Sequence, residues 1–108
     1  MQKDLSLTIT VLSACIQSCD EFHENLLLKN ESQKVKRLSG LCSDCSEFCS
    51  ITIDFINRES SITKKMLRFC SEICHKFADE LAKAPEQDVD KICYKACRAA
   101  AEQCALVY

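Results

Sequence analysis

Residues 41–49 read LCSDCSEFC, and this short stretch decides which fold the sequence can adopt. Its three cysteines, Cys42, Cys45 and Cys49, are separated by steps of three and then four residues. Such steps place side chains on one face of an α-helix, because the helix completes a turn in about 3.6 residues. The stretch therefore predicts a helix that directs its cysteines to one side and its Ser, Asp and Glu side chains to the others.

The four-residue cysteine step recurs along the whole chain. Residues 70–74 read CSEIC and nearly repeat residues 45–49, which read CSEFC. Each predicted helix carries one C-x-x-x-C motif, and the four pairs are Cys15/Cys19, Cys45/Cys49, Cys70/Cys74 and Cys93/Cys97. Cys42 and Cys104 fall on the same stripes, so all ten cysteines are expected on inward faces.

The composition favours long helices in a single domain of residues 1–108. One Gly and one Pro leave few points at which a helix would break, and a hydrophobic content of 47% argues against disorder. With a net charge of −2 and no basic stripe, the chain is not expected to bind nucleic acid. No run of about 18 apolar residues is present, so no membrane span is expected.

Polar and helix-breaking residues divide the chain into four predicted helices. These span residues 3–28, 33–57, 62–83 and 86–106. Pro85 is expected to precede the last helix, at or near its first position, and Ser60 or Ser61 is expected to cap the third. Helices of similar length with short connections pack as an antiparallel up-down-up-down bundle, so the sequence predicts an all-α four-helix bundle with a cysteine-lined core.

The inward stripe can be followed beyond the cysteines. It is predicted to include Ile53 in the second helix and Ile62 and Met66 in the third. Gly40, inside the second helix, is expected to mark a kink or a close contact between helices.

Folding the helices back on one another predicts three levels of cysteines along the bundle. Cys15, Cys45, Cys74 and Cys97 are expected at the middle level. Cys19, Cys42 and Cys93 are expected one turn to one side, and Cys49, Cys70 and Cys104 one turn to the other. The ten sulfurs would then form one continuous band with apolar layers above and below.

Such a band suits a soft metal ion. Residues four apart on a helix have Cβ atoms roughly 5–6 Å apart, and two thiolates that bind one ion linearly need a similar separation of their sulfurs. Soft sulfur ligands without oxygen select Cu(I), zinc or iron–sulfur clusters. Zinc prefers four tetrahedral ligands, so we expect several Cu(I) ions, with zinc as the alternative.

The quoted stretches also carry a family resemblance. Together with residues 92–104, ICYKACRAAAEQC, they resemble the cysteine-rich four-helix-bundle copper-binding proteins, the cytosolic copper storage proteins in particular. The resemblance implies non-enzymatic Cu(I) storage or buffering within the four pairs, with Cys42 and Cys104 as bridging or third ligands. Copper ions are the expected partner, and a copper chaperone is left open.

The chain departs from the richer members of that family in its first and third predicted helices. Phe22, Leu26, Phe77 and Leu81 occupy positions where further cysteines would extend the band. A smaller copper capacity is therefore expected. With two thiolates per ion, ten cysteines divided by two would hold five ions, and bridging sulfurs would allow more.

Other readings of the cysteines stay open from the sequence. They could be core residues or disulfides in a structural or partner-binding bundle, since buried cysteine packs as a small hydrophobe. Cys42 and Cys45 have the C-x-x-C spacing of a thiol redox protein. His23 and Met66 lie near the band and could be metal ligands or ordinary surface and core residues, whereas His75 should point sideways to solvent.

The N-terminal segment bears on location. Residues 12–15, LSAC, resemble the cleavage site of a bacterial lipoprotein, but Lys3 is the one basic residue before them and the apolar run is broken by Ser and Thr. We therefore expect a first amphipathic helix in a cytoplasmic protein. Homo-oligomer formation is left open.

Overall fold

The computed structural model describes residues 4–28, 33–83 and 90–108. Its helices are α1 (Ser6–Leu27), α2 (Gln33–Asn57), α3 (Thr63–Ala82) and α4 (Lys91–Val107). The described residues contain no strand. The predicted all-α fold class is therefore confirmed. The first turn at 29–32, Pro85 and the predicted start of the last helix at Glu86 lie outside the described residues.

Local hydrogen bonds define where the helices begin. The Asp90 side chain caps α4 by accepting a hydrogen bond from the Cys93 amide at 3.0 Å. At α1, the Asp4 carboxylate accepts from the Ser6 amide at 2.9 Å. The predicted serine cap of α3 is wrong. The residue that precedes this helix is Ile62, and the Ser60 hydroxyl instead accepts from the Ile62 amide at 3.3 Å within the turn.

The turn between α2 and α3 is closed by a left-handed residue. Glu59 has φ of 54°, and the amide of Ser60 donates to the Phe55 carbonyl while that of Glu59 donates to the Ile56 carbonyl. This pair of bonds is the Schellman motif, which satisfies carbonyls at a helix C-terminus. It ends α2 sharply without a glycine.

The buried stripe of each helix follows alternating steps of three and four residues, with Ala78 and Ala101 buried in addition. In α2 the stripe continues from Cys49 to Thr52, which is fully buried, while the predicted Ile53 is half-buried. In α3, Leu67 takes the inward place predicted for Met66, and Ile62 is exposed. The strict seven-residue repeat keeps one seam facing the core along the whole bundle, whereas repeated steps of four drift around the helix.

Each helix lies beside two neighbours, and the diagonal helices of the described ranges meet only through side chains, as in the pairs Phe22/Phe77 and Cys45/Cys97. The bundle measures 49 × 19 × 18 Å. Side-chain bonds cross each of the four seams: Ser46 to Asp20, Arg37 to Glu80, Ser71 to the Ala101 carbonyl, and Gln103 to Thr8. No helix in the described ranges is long and apolar enough to cross a membrane.

Gly40 does not mark a close helix contact. It is exposed on α2, and a Cβ atom at this position would meet no atom within 4 Å. The close contact predicted from the sequence is therefore wrong, because the glycine lies on the solvent face of the helix.

Candidate metal centre

All ten cysteines lie on the inward stripes and are buried, each with at most 1% of its surface exposed. All ten are free thiols. The shortest sulfur–sulfur distance is 3.4 Å, between Cys45 and Cys74, well beyond the ~2.05 Å of a disulfide bond. The helices thus bring every predicted ligand into one reduced sulfur band.

The middle of the band joins one cysteine from each helix. The Sγ atoms of Cys45 and Cys74 are 3.4 Å apart, and Cys15 lies 3.8 Å from Cys45. Cys97 completes this level, at 3.8 Å from Cys15 and 3.9 Å from Cys45. These four residues come from distant parts of the sequence, so the antiparallel packing of the bundle creates this level.

Two overlapping sets of four sulfurs include residues of this middle level. Within each set all sulfurs lie within 4.8 Å of one another, and the two sets share Cys15 and Cys45. One contains Cys15, Cys45, Cys49 and Cys74, and the other contains Cys15, Cys19, Cys45 and Cys97. Each set combines both sulfurs of one C-x-x-x-C pair with one sulfur from each of the two helices beside that pair.

The remaining cysteines continue the band on both sides. On one side, the Cys70 sulfur lies 3.7 Å from Cys49, and Cys104 adjoins Cys70. On the other side, Cys93 adjoins Cys19. Cys42 makes a different contact, because its thiol donates to the backbone carbonyl of Cys19 at 3.0 Å instead of to another sulfur.

Contacts between thiols make their acidity uneven. The pKa of Cys93 is lowered to about 6 because the Cys19 and Cys97 thiols donate hydrogen bonds to its thiolate. The neighbouring Cys104 thiol likewise lowers the pKa of Cys70, while the pKa of Cys104 is raised by Cys70 and by burial. Some sulfurs of the band therefore ionise readily while their neighbours hold the proton.

Apolar side chains close the band at the end where α1 and α3 finish. The rings of Phe22 and Phe77 pack with centroids 6.1 Å apart, and Leu26 and Leu81 are buried behind them. These are the four residues expected from the sequence to stand where richer members of the family would have further cysteines. They keep bulk water away from this end of the sulfurs.

Three residues left open by the sequence differ in their placement. His23 is half-buried and lines a cavity whose wall also includes Cys19 and Cys42. Met66 is half-buried at the rim of the core. His75 is 57% exposed and lies 3.4 Å from the Asp79 carboxylate, on the outer face of α3 as predicted.

Thr52 was missed by the sequence reasoning, although it is fully buried beside Cys70. Its hydroxyl donates to the Phe48 carbonyl at 2.6 Å, so it is satisfied within its own helix. Continuing the alternation of three- and four-residue steps from Cys45 and Cys49 would have placed it inward.

These features define a class of protein: a four-helix bundle that encloses an all-thiol site for soft metal ions. A family model for copper storage proteins matches residues 1–108, and the chain belongs to that family. Membership confirms the resemblance noted in the sequence and, with it, copper storage as the function.

One solved structure shares the fold closely. The Cu(I)-bound copper storage protein BsCsp3 superposes with a TM-score of 0.88, covering 97% of this chain and 98% of that one, at 21% sequence identity. The likeness confirms the four-helix-bundle fold. A search of curated protein sequences gives no match.

Proposed function

We propose that all ten thiols act together as the ligands of a Cu(I) store. The observation that carries the proposal is the pair of four-sulfur sets that share Cys15 and Cys45, since every sulfur in a set lies within 4.8 Å of the others. An ion bound linearly between two thiolates separates them by about 4.6 Å, taking each metal–sulfur bond as ~2.3 Å. Small rotamer changes would meet that distance.

The electrostatics of the core favour Cu(I) over zinc. The buried residues among those described are apolar, cysteine or threonine, with no carboxylate or cation to balance charge. Uncompensated charge is costly in such a core. A monovalent ion held by two thiolates leaves a net charge of −1, whereas Zn²⁺ held by four thiolates would carry −2. Zinc remains the less favoured alternative.

The stoichiometry follows from how the sulfurs are shared. Two thiolates per ion would give five ions from ten cysteines. Cys15 and Cys45, which belong to both four-sulfur sets, are placed to bridge ions and allow more. Cys42 and Cys104 lie at the two margins of the band and would serve as third or bridging ligands.

The biological setting is also a proposal. A non-enzymatic store of this kind suits the cytoplasm, where cellular reductants keep thiols available for metal. A copper chaperone would deliver or remove the ions. Self-association would use the α1–α4 flank, where Leu7, Ile92 and Leu106 are exposed.

A Cu(I) titration against a competing chelator tests the proposal. Freshly purified protein should contain about ten free thiols and bind at least five equivalents tightly. A thiol count well below ten would favour structural disulfides, and the absence of tight binding would favour a purely structural bundle. Steady turnover of a disulfide substrate would favour a redox protein.

A further inference from the structure

The seam between α1 and α2 contains an opening that reaches the sulfur band from the side. A cavity of about 190 Å³ lies there, with Cys19 and Cys42 on its wall and Asp20, His23 and Ser46 around it. A cavity can hold water once it exceeds about 10–15 Å³. This opening is therefore large enough to hold water beside Cys19 and Cys42, whose side chains are 0% and 1% exposed, so a side-chain rotation must uncover a sulfur before it takes an ion.

Among the described residues, an approach along the axis of the bundle is obstructed at both ends. Buried side chains fill the core beyond the sulfurs at both ends, so an ion moving along the axis would have to pass between them. These are Phe22, Leu26, Phe77 and Leu81 at one end, and Thr8, Thr52, Ile56 and Leu67 at the other.

Cys42 is distinguished from the other sulfurs at this opening. Its thiol donates to the Cys19 carbonyl at 3.0 Å, whereas Cys19 contacts the Cys97 sulfur at 3.8 Å. Cys42 therefore lies at the cavity beside Cys19, with its proton directed to a backbone carbonyl, and Cys19 belongs to one of the four-sulfur sets.

The rim of the opening carries groups that attract and bind a soft cation. Ser46 of α2 donates to the Asp20 carboxylate of α1 at 2.9 Å, which holds this negative charge at the mouth of the cavity. A second carboxylate, Glu47, lines the same cavity. Negative groups at a cleft raise the local concentration of cations, and the half-buried imidazole of His23 is a suitable ligand for copper.

From these contacts we infer that the α1–α2 opening is the port through which Cu(I) enters and leaves, with His23 and Cys42 as the ligands that first receive the ion before it moves further into the band. This inference rests on the proposed storage function. Its ligand is Cu(I) carried by a small thiol. From Cys42 the ion passes to Cys19 and then to Cys97.

The transfer step is a ligand exchange at constant oxidation state. The Cys42 sulfur forms a bond to copper as a sulfur–copper bond of the incoming thiol complex breaks. In the metal-free protein the Cys42 thiol donates a hydrogen bond to the Cys19 carbonyl. When copper binds, the thiol proton is transferred to the donor thiolate, which leaves as a thiol. Copper stays Cu(I) throughout.

The seam between α3 and α4 provides a matched control. It contains a cavity of about 180 Å³ lined by Ser71, His75, Ala101 and Ala105 among others. The two openings are similar in size and each has a histidine, but no cysteine lines this second one. A substitution that fills it should not affect copper transfer.

The test compares Ser46→Leu with Ala105→Leu. Stopped-flow mixing would measure Cu(I) uptake from a Cu(I)–glutathione complex and its removal by excess chelator. Ser46→Leu should slow both rates at least roughly tenfold, the effect of a barrier raised by about 1.4 kcal/mol, with equilibrium capacity retained. Ala105→Leu should leave both rates unchanged. His23→Ala should slow uptake without filling the opening.

Three results would overturn the port. The first is that uptake and removal rates are unchanged in both Ser46→Leu and His23→Ala. The second is that Ser46→Leu and Ala105→Leu slow these rates equally. The third is that Met66→Leu, at the end of the bundle, slows them while the α1–α2 variants do not. Circular dichroism checks that each variant keeps its helices. A wild-type protein that binds no Cu(I) would instead refute the storage function itself, so the two failures are distinguishable.

Discussion

The sulfurs of Cys45 in α2 and Cys74 in α3 lie 3.4 Å apart in the metal-free band, the shortest such contact among the described residues. Linear Cu(I) needs its two sulfurs about 4.6 Å apart, with bonds of ~2.3 Å. The pair must therefore open by about 1.2 Å when it takes an ion, a distance within reach of a side-chain rotation. The helices themselves need not move, so the bundle is a largely preformed store.

Copper affinity should fall as the pH is lowered. Thiols bind Cu(I) as thiolates, and the pKa of Cys104 is raised by Cys70 while that of Cys97 is raised by Cys15. Such sulfurs are protonated near neutral pH and release protons when copper binds, so added protons compete with the metal. An ion held by two protonated thiols should bind up to about a hundredfold more weakly for each unit of pH decrease.

Where Cys93 is a ligand, copper affinity should depend less on pH. The pKa of this thiol is lowered to about 6, so above that pH it is already ionised and releases no proton. Chelator competition at several pH values, with proton release followed in weak buffer, measures both effects. Cys93→Ser should remove the weakly pH-dependent component, and an affinity for copper that does not change with pH would contradict the argument.

The core beyond the sulfurs should dominate the stability of the bundle. Phe77 is fully buried against Phe22, so Phe77→Ala should lower the free energy of unfolding by about 3–5 kcal/mol. Phe69, on the same helix, is 51% exposed. Phe69→Ala should therefore change the free energy of unfolding by less than about 0.5 kcal/mol. Urea unfolding of the metal-free proteins measures both changes. Should Phe77→Ala fail to fold, Phe77→Leu removes less volume, and its cost should lie between those of Phe69→Ala and Phe77→Ala.

Gly40 is a position where stability can be gained. Gly40→Ala should raise the free energy of unfolding by about 0.5–1 kcal/mol, because the site is inside a helix and an added Cβ meets no atom within 4 Å. The converse change, Ala14→Gly at an exposed position of α1, should lower it by a similar amount. Copper capacity should be the same in both variants. A loss of stability in Gly40→Ala would mean that the glycine has a backbone role.

The sequence predicts the sulfur band well, because helical spacing alone determines which face a residue occupies. Cys42, Cys45 and Cys49 define the inward stripe of α2, and antiparallel packing aligns it with Cys74 and Cys97. The sequence predicts the core residues less accurately where no cysteine marks the inward face. Hydrophobicity favoured Ile53 over Thr52, yet the seven-residue repeat places Thr52 in the core.

Features that depend on how two helices meet were not predicted. The bond between Ser46 and Asp20 and the opening beside His23 arise from side chains on the flanks of α1 and α2. Nothing in the spacing of either helix reveals that these flanks face each other. The left-handed turn at Glu59 was likewise missed, because glycine is the usual residue there.

The central claim is that the sulfurs shared at the middle of the band hold the copper. It is tested most directly by Cu(I) titration of two variants that each lose four sulfurs. One replaces Cys15, Cys45, Cys74 and Cys97 with Ser, and the other replaces Cys42, Cys70, Cys93 and Cys104. The first removes both shared sulfurs, whereas the second leaves both four-sulfur sets intact.

Both variants should remain helical, which circular dichroism checks. We predict that the first variant loses most of its tightly bound copper while the second retains the ions of both four-sulfur sets. Equal stoichiometry in the two variants, or an unchanged stoichiometry in the first, would contradict the account.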